Sequence, residues 1–215
     1  MIRYLIWDFD GVICDSRDLA FKIHNQLTKK YINLPMIHNV YDYAKIMNEG
    51  YDESLTKYLT KEQINQYFLE HRETMYNRRM EFKLYSKIID FIKNNRIPSI
   101  IITATYEKLV LDVLRNNGYN ERIFSYILGR ETEGSKLEKL EKICKKNNIR
   151  KDEIVYIGDT LSDVDFCQKA NIPIVAVGYG YCPPSIFEKK GILEICNSEE
   201  ELVNYIDTKI KFQEN

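Results

Sequence analysis

At 215 residues the chain is long enough for one large domain, or for a core domain with a smaller insert, around a substantial apolar core. Its composition, 44% hydrophobic and 29% charged with 31 basic against 32 acidic side chains, excludes extended disorder and argues against a large nucleic-acid or anionic-membrane footprint. Five scattered cysteines (Cys14, Cys144, Cys167, Cys182 and Cys196), odd in number and without paired metal-ligand spacing, predict reduced thiols in a cytoplasmic protein and no structural zinc.

Residues 2–7 form a nearly continuous apolar run, rich in branched and aromatic side chains, too short for a helix and cut off by charge. They predict a buried strand. The run carries one basic residue and no small-residue cleavage site, which speaks against a signal peptide, and no stretch is long enough to span a bilayer. Residues 16–31 read as a helix with Ser16 as N-cap, Asp18 in the first turn and Leu19, Phe21, Ile23 and Leu27 at roughly helical spacing. From there to about residue 80 no strand is predicted. A short apolar segment at 43–47, a loop at Asn48-Glu49-Gly50 and a segment over 52–59 lead to a long amphipathic helix through Ile64, Phe68, His71, Met75 and Tyr76. Thr60 and Gln63 mark its start as a capping box.

From Lys83 the pattern alternates. Helices are predicted over 85–95, 107–116, 135–147, 163–170 and 199–210, and strands over 98–102, 123–128, 154–157 and 172–177, with an edge strand at 192–195. Such alternation implies an α/β, Rossmann-like, doubly wound parallel sheet with right-handed crossovers and helices on both faces. Residues 1–15 and 83–215 then form the core, and residues 16–82 an all-α insert standing over the end of the first strand.

Chemistry-bearing residues come directly after the buried strands. Asp8 and Asp10 come after the first, with Gly11 allowing a sharp turn; Thr103 and Ala104 come after the second; Asp159 and Asp163 come after the fourth. In a parallel sheet these ends lie along one edge and can converge on one pocket. An ionised Asp can attack a phosphoryl group while a neighbouring Asp shuttles protons to the leaving group and from water. The plain alternative is that Asp8 and Asp10 only cap the next helix. Two anions beside a phosphate need a counter-charge, and Mg²⁺ fits carboxylate and phosphate oxygens. The Thr103 hydroxyl and the N–H groups near Ala104, which open a helix, suit phosphate oxygens, Asp159 suits the cation's shell, and Asp163 suits the cation or its waters. Lys136, first in a Lys-rich helix, can neutralise nucleophile and phosphate.

Asp8-Phe9-Asp10-Gly11-Val12, Thr103, Lys136 and Gly158-Asp159-Thr160-Leu161-Ser162-Asp163 resemble, in order and spacing, the four motifs of the haloacid dehalogenase-like hydrolase superfamily. The helical insert after the first motif is similar to that superfamily's small α-helical (C1-type) cap, as in phosphoglycolate phosphatase and β-phosphoglucomutase relatives. The resemblance implies Asp8 as nucleophile and Asp10 as general acid/base, with the Asp10 backbone carbonyl, Asp8 and Asp159 on Mg²⁺ and Asp163 as supporting acid. It implies a phosphatase acting on a small phosphorylated metabolite through a phospho-aspartate. The alternatives are a phosphomutase of the β-phosphoglucomutase type and a non-catalytic binding protein on the same fold. Departures from the family pattern are Leu137 after the lysine, which leaves Lys139 as a rival to Lys136, and Leu84-Tyr85-Ser86-Lys87 in place of a Pro-Gly turn.

His24, His38 and His71 read as solvated or core-edge histidines, since no partner spacing accompanies them. The lysines after Lys136 read as a solvated helix face. Arg78-Arg79 read as flanking the insert's last helix, and Tyr179 and Tyr181 as shaping a core loop. Gly50, in the loop Asn48-Glu49-Gly50-Tyr51, matches in position a cap loop that selects substrates in relatives. No sequence feature fixes the oligomeric state.

Overall fold

Tyr4–Trp7 forms β1, the strand on which the rest is built, and Leu5, Ile6 and Trp7 are wholly buried. In the computed structural model, which describes residues 1–40, 42, 43 and 55–210, β1 lies inside a six-stranded sheet. The other strands of that sheet are β4 (Ser99–Ile102), β5 (Tyr126–Leu128), β6 (Ile154–Gly158), β7 (Ile174–Val177) and β8 (Ile195–Cys196). Their order is β5-β4-β1-β6-β7-β8, every pair parallel.

Side-chain alternation along the strands assigns the helices to faces. Leu5, Trp7, Ile101, Val155 and Ile157 face one way, into a core shared with α3 (Ser86–Asn94), α4 (Glu107–Asn116) and α8 (Glu199–Tyr205). Ile6, Ile100, Ile102, Ile154 and Tyr156 face the other, against α5 (Lys136–Asn147) and α6 (Leu161–Ala170). Each fully buried large side chain contributes roughly 1.5–3 kcal/mol, so a wrong register here would forfeit a large part of the net stability. The α/β doubly wound class is therefore as the alternation predicts. A short helix, α7 (Pro184–Lys189), covers the far side of β7.

The insert is bracketed by two strands that the sequence pattern does not predict. β2 (Cys14–Asp15) and β3 (Lys83–Leu84) pair antiparallel, so the chain leaves and re-enters the core through one short ribbon. Between them α1 (Arg17–Thr28) packs on α2 (Lys61–Asn77), and α2 opens with the predicted Thr60/Gln63 capping box. Gly50 and its loop lie outside the described residues.

Several expectations are corrected. Ser16 precedes α1 but makes no side-chain cap; it is fully buried and its hydroxyl shares a hydrogen bond with Tyr181 Oη at 3.1 Å. The strand predicted over 123–128 shrinks because Glu121–Ile123 form a 3₁₀ turn capped by Asn120. The edge strand moves from 192–195 to β8, and the final helix changes to a π-turn over Ile206–Ile210. α6 begins two residues early, since Thr160 caps it with Asp163 as the reciprocal partner. His24 is neither solvated nor at the core edge: it is fully buried, with Nδ1 2.7 Å from Tyr67 Oη.

Candidate active site

Strand register brings the site together. Trp7 lies opposite Ile101 on β4 and Ile157 on β6, so β1, β4 and β6 end side by side. Asp8, Thr103 and Asp159 then emerge at one edge of the sheet, where ligands bind in open α/β folds. Gly11 takes φ +73°, and a Cβ there would collide with the Asp159 carboxylate and the Tyr181 ring. Only glycine lets the turn after β1 approach that closely.

Lys136 is the hub. As the first residue of α5, behind a Ser135/Glu138 capping box, it sends its ammonium to Asp8 Oδ2 at 2.8 Å, Asp163 Oδ1 at 2.9 Å and Tyr156 Oη at 3.0 Å. Burial works against its charge, but Asp163 and Asp8 outweigh that and hold its pKa above the ordinary lysine value. Lys139, the rival lysine, is buried and donates to the Gly129 carbonyl at 2.6 Å. It is therefore not part of a solvated helix face. One turn along α5 it points to the loop that leads into the helix, while Lys136 points to the acids.

Asp8 Oδ1 accepts the Phe9 N–H at 2.7 Å, and its pKa is raised to about 6, chiefly by burial, with Lys136 opposing and Asp163 and Asp10 adding. Asp10 is also raised by burial, moderated by hydroxyls of Thr105 and Ser16. Thr105 Oγ1 donates to Asp10 Oδ2. Thr103 is buried at the end of β4, and its hydroxyl accepts the Thr105 N–H at 3.2 Å. Ala104 is exposed and precedes α4 by three residues, so its N–H does not open the helix as expected.

Asp163 differs from the other acids. Its Oδ1 accepts from Lys136 and from Tyr156 Oη at 2.9 Å, and its Oδ2 from Thr160 Oγ1 at 2.6 Å, Thr160 N–H at 3.1 Å and Asp159 N–H at 3.3 Å. Burial would raise its pKa, but Lys136 and these donors hold it below the usual carboxylate value. Asp159 is the opposite case. Oδ2 accepts the Tyr181 N–H at 2.7 Å, whereas Oδ1 is buried with no hydrogen-bond partner among the described residues. Burial and the charges of Asp163 and Asp8 push its pKa well up.

Asp8, Asp159 and Asp163 each offer an oxygen within 4.8 Å of the others. An all-carboxylate donor set with one orphaned, desolvated oxygen fits a hard divalent cation, which would supply the missing partner. Asp159 keeps one uncommitted oxygen and Asp8 accepts one hydrogen bond at each of its oxygens, whereas Asp163 already accepts five.

Sequence reasoning missed Thr105, Tyr156 and Tyr181. Thr105 lacked any signal besides its nearness to Thr103. Tyr156 had one: a hydroxyl in an otherwise aliphatic strand must find a buried partner. Among the described residues no helix is long and apolar enough to cross a membrane.

A doubly wound sheet with Asp8, Asp10 and Asp159 just past its central strands, and Lys136 and Asp163 reaching them from flanking helices, has the outline of an α/β enzyme that handles phosphoryl groups. The chain belongs to the haloacid dehalogenase-like hydrolases, whose family profile matches residues 5–177. It is 25% identical over 195 residues to the phosphoglycolate phosphatase of Colwellia psychrerythraea, spanning 82% of this chain and 84% of that one. With the phosphoglycolate phosphatase of Psychrobacter arcticus the identity is 26% over 230 aligned positions, with 95% of both chains covered. A haloacid dehalogenase-like family hydrolase from Streptococcus pneumoniae shares the fold with a TM-score of 0.80 at 20% identity, over 95% of this chain and 98% of that one.

Proposed function

We propose that the protein is a Mg²⁺-dependent phosphatase that hydrolyses a small phosphorylated metabolite through a phospho-aspartate on Asp8. The observation that carries this reading is the Lys136 ammonium, held between Asp8 Oδ2 and Asp163 Oδ1 beside the unpartnered Asp159 oxygen. Asp8 attacks phosphorus, and Asp10, oriented by Thr105, protonates the departing oxygen. Asp10 then takes a proton from the water that cleaves the acyl phosphate. The Thr103 hydroxyl and Ala104 N–H take phosphoryl oxygens, and Lys136 offsets the charge gathered there. Asp8, Asp159 and the Asp10 carbonyl would hold the Mg²⁺, with Asp163 as supporting acid. When bound, the ion neutralises the acids and the phosphoryl oxygens.

Residues 16–82 act as the cap over a core of 1–15 and 83–215. Support comes from the β2–β3 ribbon at its base and from polar contacts between insert and core: Arg17 Nη1 donates to the Gly180 carbonyl at 2.7 Å and Arg72 Nη1 to Tyr106 Oη at 3.1 Å. Closure over the strand ends would exclude bulk water, and opening would release product. The names of the relatives make 2-phosphoglycolate the first ester to try.

The test is phosphate release from p-nitrophenyl phosphate and a panel of phosphorylated metabolites, with and without Mg²⁺. Turnover that needs Mg²⁺ and disappears in Asp8→Asn supports the proposal; substantial activity in that variant removes Asp8 from its role.

A further inference from the structure

Tyr156 has no part in the proposed chemistry, yet its hydroxyl meets both Lys136 and Asp163 within hydrogen-bond distance. An ammonium carries three N–H donors and no acceptor. In Lys136 all three are committed, to Asp8 Oδ2, Asp163 Oδ1 and Tyr156 Oη at 2.8, 2.9 and 3.0 Å. The Tyr156 hydroxyl donates in turn to the same Asp163 oxygen at 2.9 Å, which closes a ring of Lys136, Tyr156 and Asp163.

Within this ring Tyr156 is the rigid member. Its side chain is fully buried on β6, pinned in register between Ile6 and Ile174, with the ring edge-on to Phe166 at 5.0 Å. Gly158 lets both side chains pack close to the backbone: a Cβ there would lie 2.8 Å from the Tyr156 ring and 2.6 Å from Asp163 Cβ. Lys136 by contrast hangs on a four-carbon stem with many rotamers. Contacts to Asp8 and Asp163 alone define a line, about which the ammonium can still pivot. The third contact fixes it.

We infer that Tyr156 is a positioning residue, whose hydroxyl locks the Lys136 ammonium between Asp8 and Asp163 and so aims its charge where charge gathers during reaction. This rests on the roles proposed for Asp8 and Lys136. Tyr156 touches neither substrate nor the reacting atoms in that scheme, so its loss weakens stabilisation of the transition state and leaves substrate binding alone.

The test is Tyr156→Phe, which removes one oxygen and keeps the ring against Phe166. The expected result is a fall in kcat of about tenfold, typical of losing one hydrogen bond to a charged group, with KM changed less than twofold. A second readout separates positioning from packing. In ¹⁵N-lysine-labelled protein the fully committed Lys136 ammonium gives a protected resonance, assigned by its disappearance in Lys136→Arg. That resonance broadens or vanishes in Tyr156→Phe and persists in Tyr179→Phe, which removes a different, half-buried hydroxyl, the donor to the Val12 carbonyl at 3.2 Å.

Wild-type kcat in Tyr156→Phe overturns the inference, as does a lowered kcat with the lysine resonance unchanged. Absence of a protected lysine resonance in the wild-type protein overturns it without any variant. If the wild type hydrolyses no ester although the resonance behaves as described, the phosphatase reading fails and the clamp stands as structure alone.

Discussion

Asp159→Asn is expected to stabilise the protein in the absence of metal and to abolish its response to Mg²⁺. The side chain is 1% exposed, Oδ1 has no hydrogen-bond partner among the described residues, and burial, joined by the charges of Asp163 and Asp8, pushes its pKa well up. An unsatisfied buried polar group costs roughly 1–3 kcal/mol, more when charged, and an amide removes the charge while leaving an oxygen for the Tyr181 N–H. For a chain of this size 1 kcal/mol corresponds to about 2–4 °C in Tm, so the metal-free variant should melt about 2–12 °C above wild type. In wild type, Mg²⁺ at a hundred times its Kd adds about 2.7 kcal/mol, or roughly 5–10 °C. Thermal melts in EDTA and across a MgCl₂ titration, at equal ionic strength, measure both effects. A variant that melts below wild type in EDTA, or that still gains the same increment from Mg²⁺, would refute the account of Asp159 as the desolvated acid that awaits a cation.

The same geometry sets three further outcomes. Thr105→Val removes the donor to Asp10 Oδ2 and should lower kcat about tenfold, with little change in Tm, as read by steady-state kinetics and melting. Lys136→Met should cost roughly a thousandfold or more in kcat/KM on the scale of lost preorganised charge, whereas Lys139→Met should act on stability, through the freed Gly129 carbonyl, and spare most of the turnover. His24 is held neutral, its pKa lowered to about 4 by burial, against 6.5 when exposed. The unfolded chain therefore binds the extra proton between those values, and stability is lost as pH falls from 6.5 towards 4, by about 3 kcal/mol in all. The raised carboxylates of the site act in the opposite sense but cancel in a comparison with His24→Asn. The urea-unfolding advantage of wild type over that variant should shrink across this window, and a constant difference would contradict the neutral, buried imidazole.

The acids were legible in the sequence because parallel strands impose a simple rule: the residue after a short apolar run sits at one edge. Asp8, Thr103 and Asp159 obey it, and the register of Trp7 with Ile101 and Ile157 is its physical cause. Lys136 was separable from Lys139 only in three dimensions, since three residues on a helix turn a side chain through nearly a full circle and the capping box sets the start of the count. Ser16 looked like a cap because serine before a helix usually is one, yet a buried tertiary partner, Tyr181, claimed the hydroxyl. Tyr156 and Thr105 stayed hidden for a related reason: their importance lies in which side chain they meet across the sheet, and spacing along the chain carries no trace of that. The β2–β3 ribbon, two residues a side, is too short for any period to register.

That ribbon has an architectural corollary. Asp15 and Lys83 face each other across it, so the two ends of a long excursion meet at a separation only slightly greater than one peptide step. The hydrolytic scaffold thus perceives the excursion almost as a hairpin turn, indifferent to what is mounted between its ends. A piece of different size or shape between Asp15 and Lys83 would therefore leave the strand register and the acids at its edge unchanged.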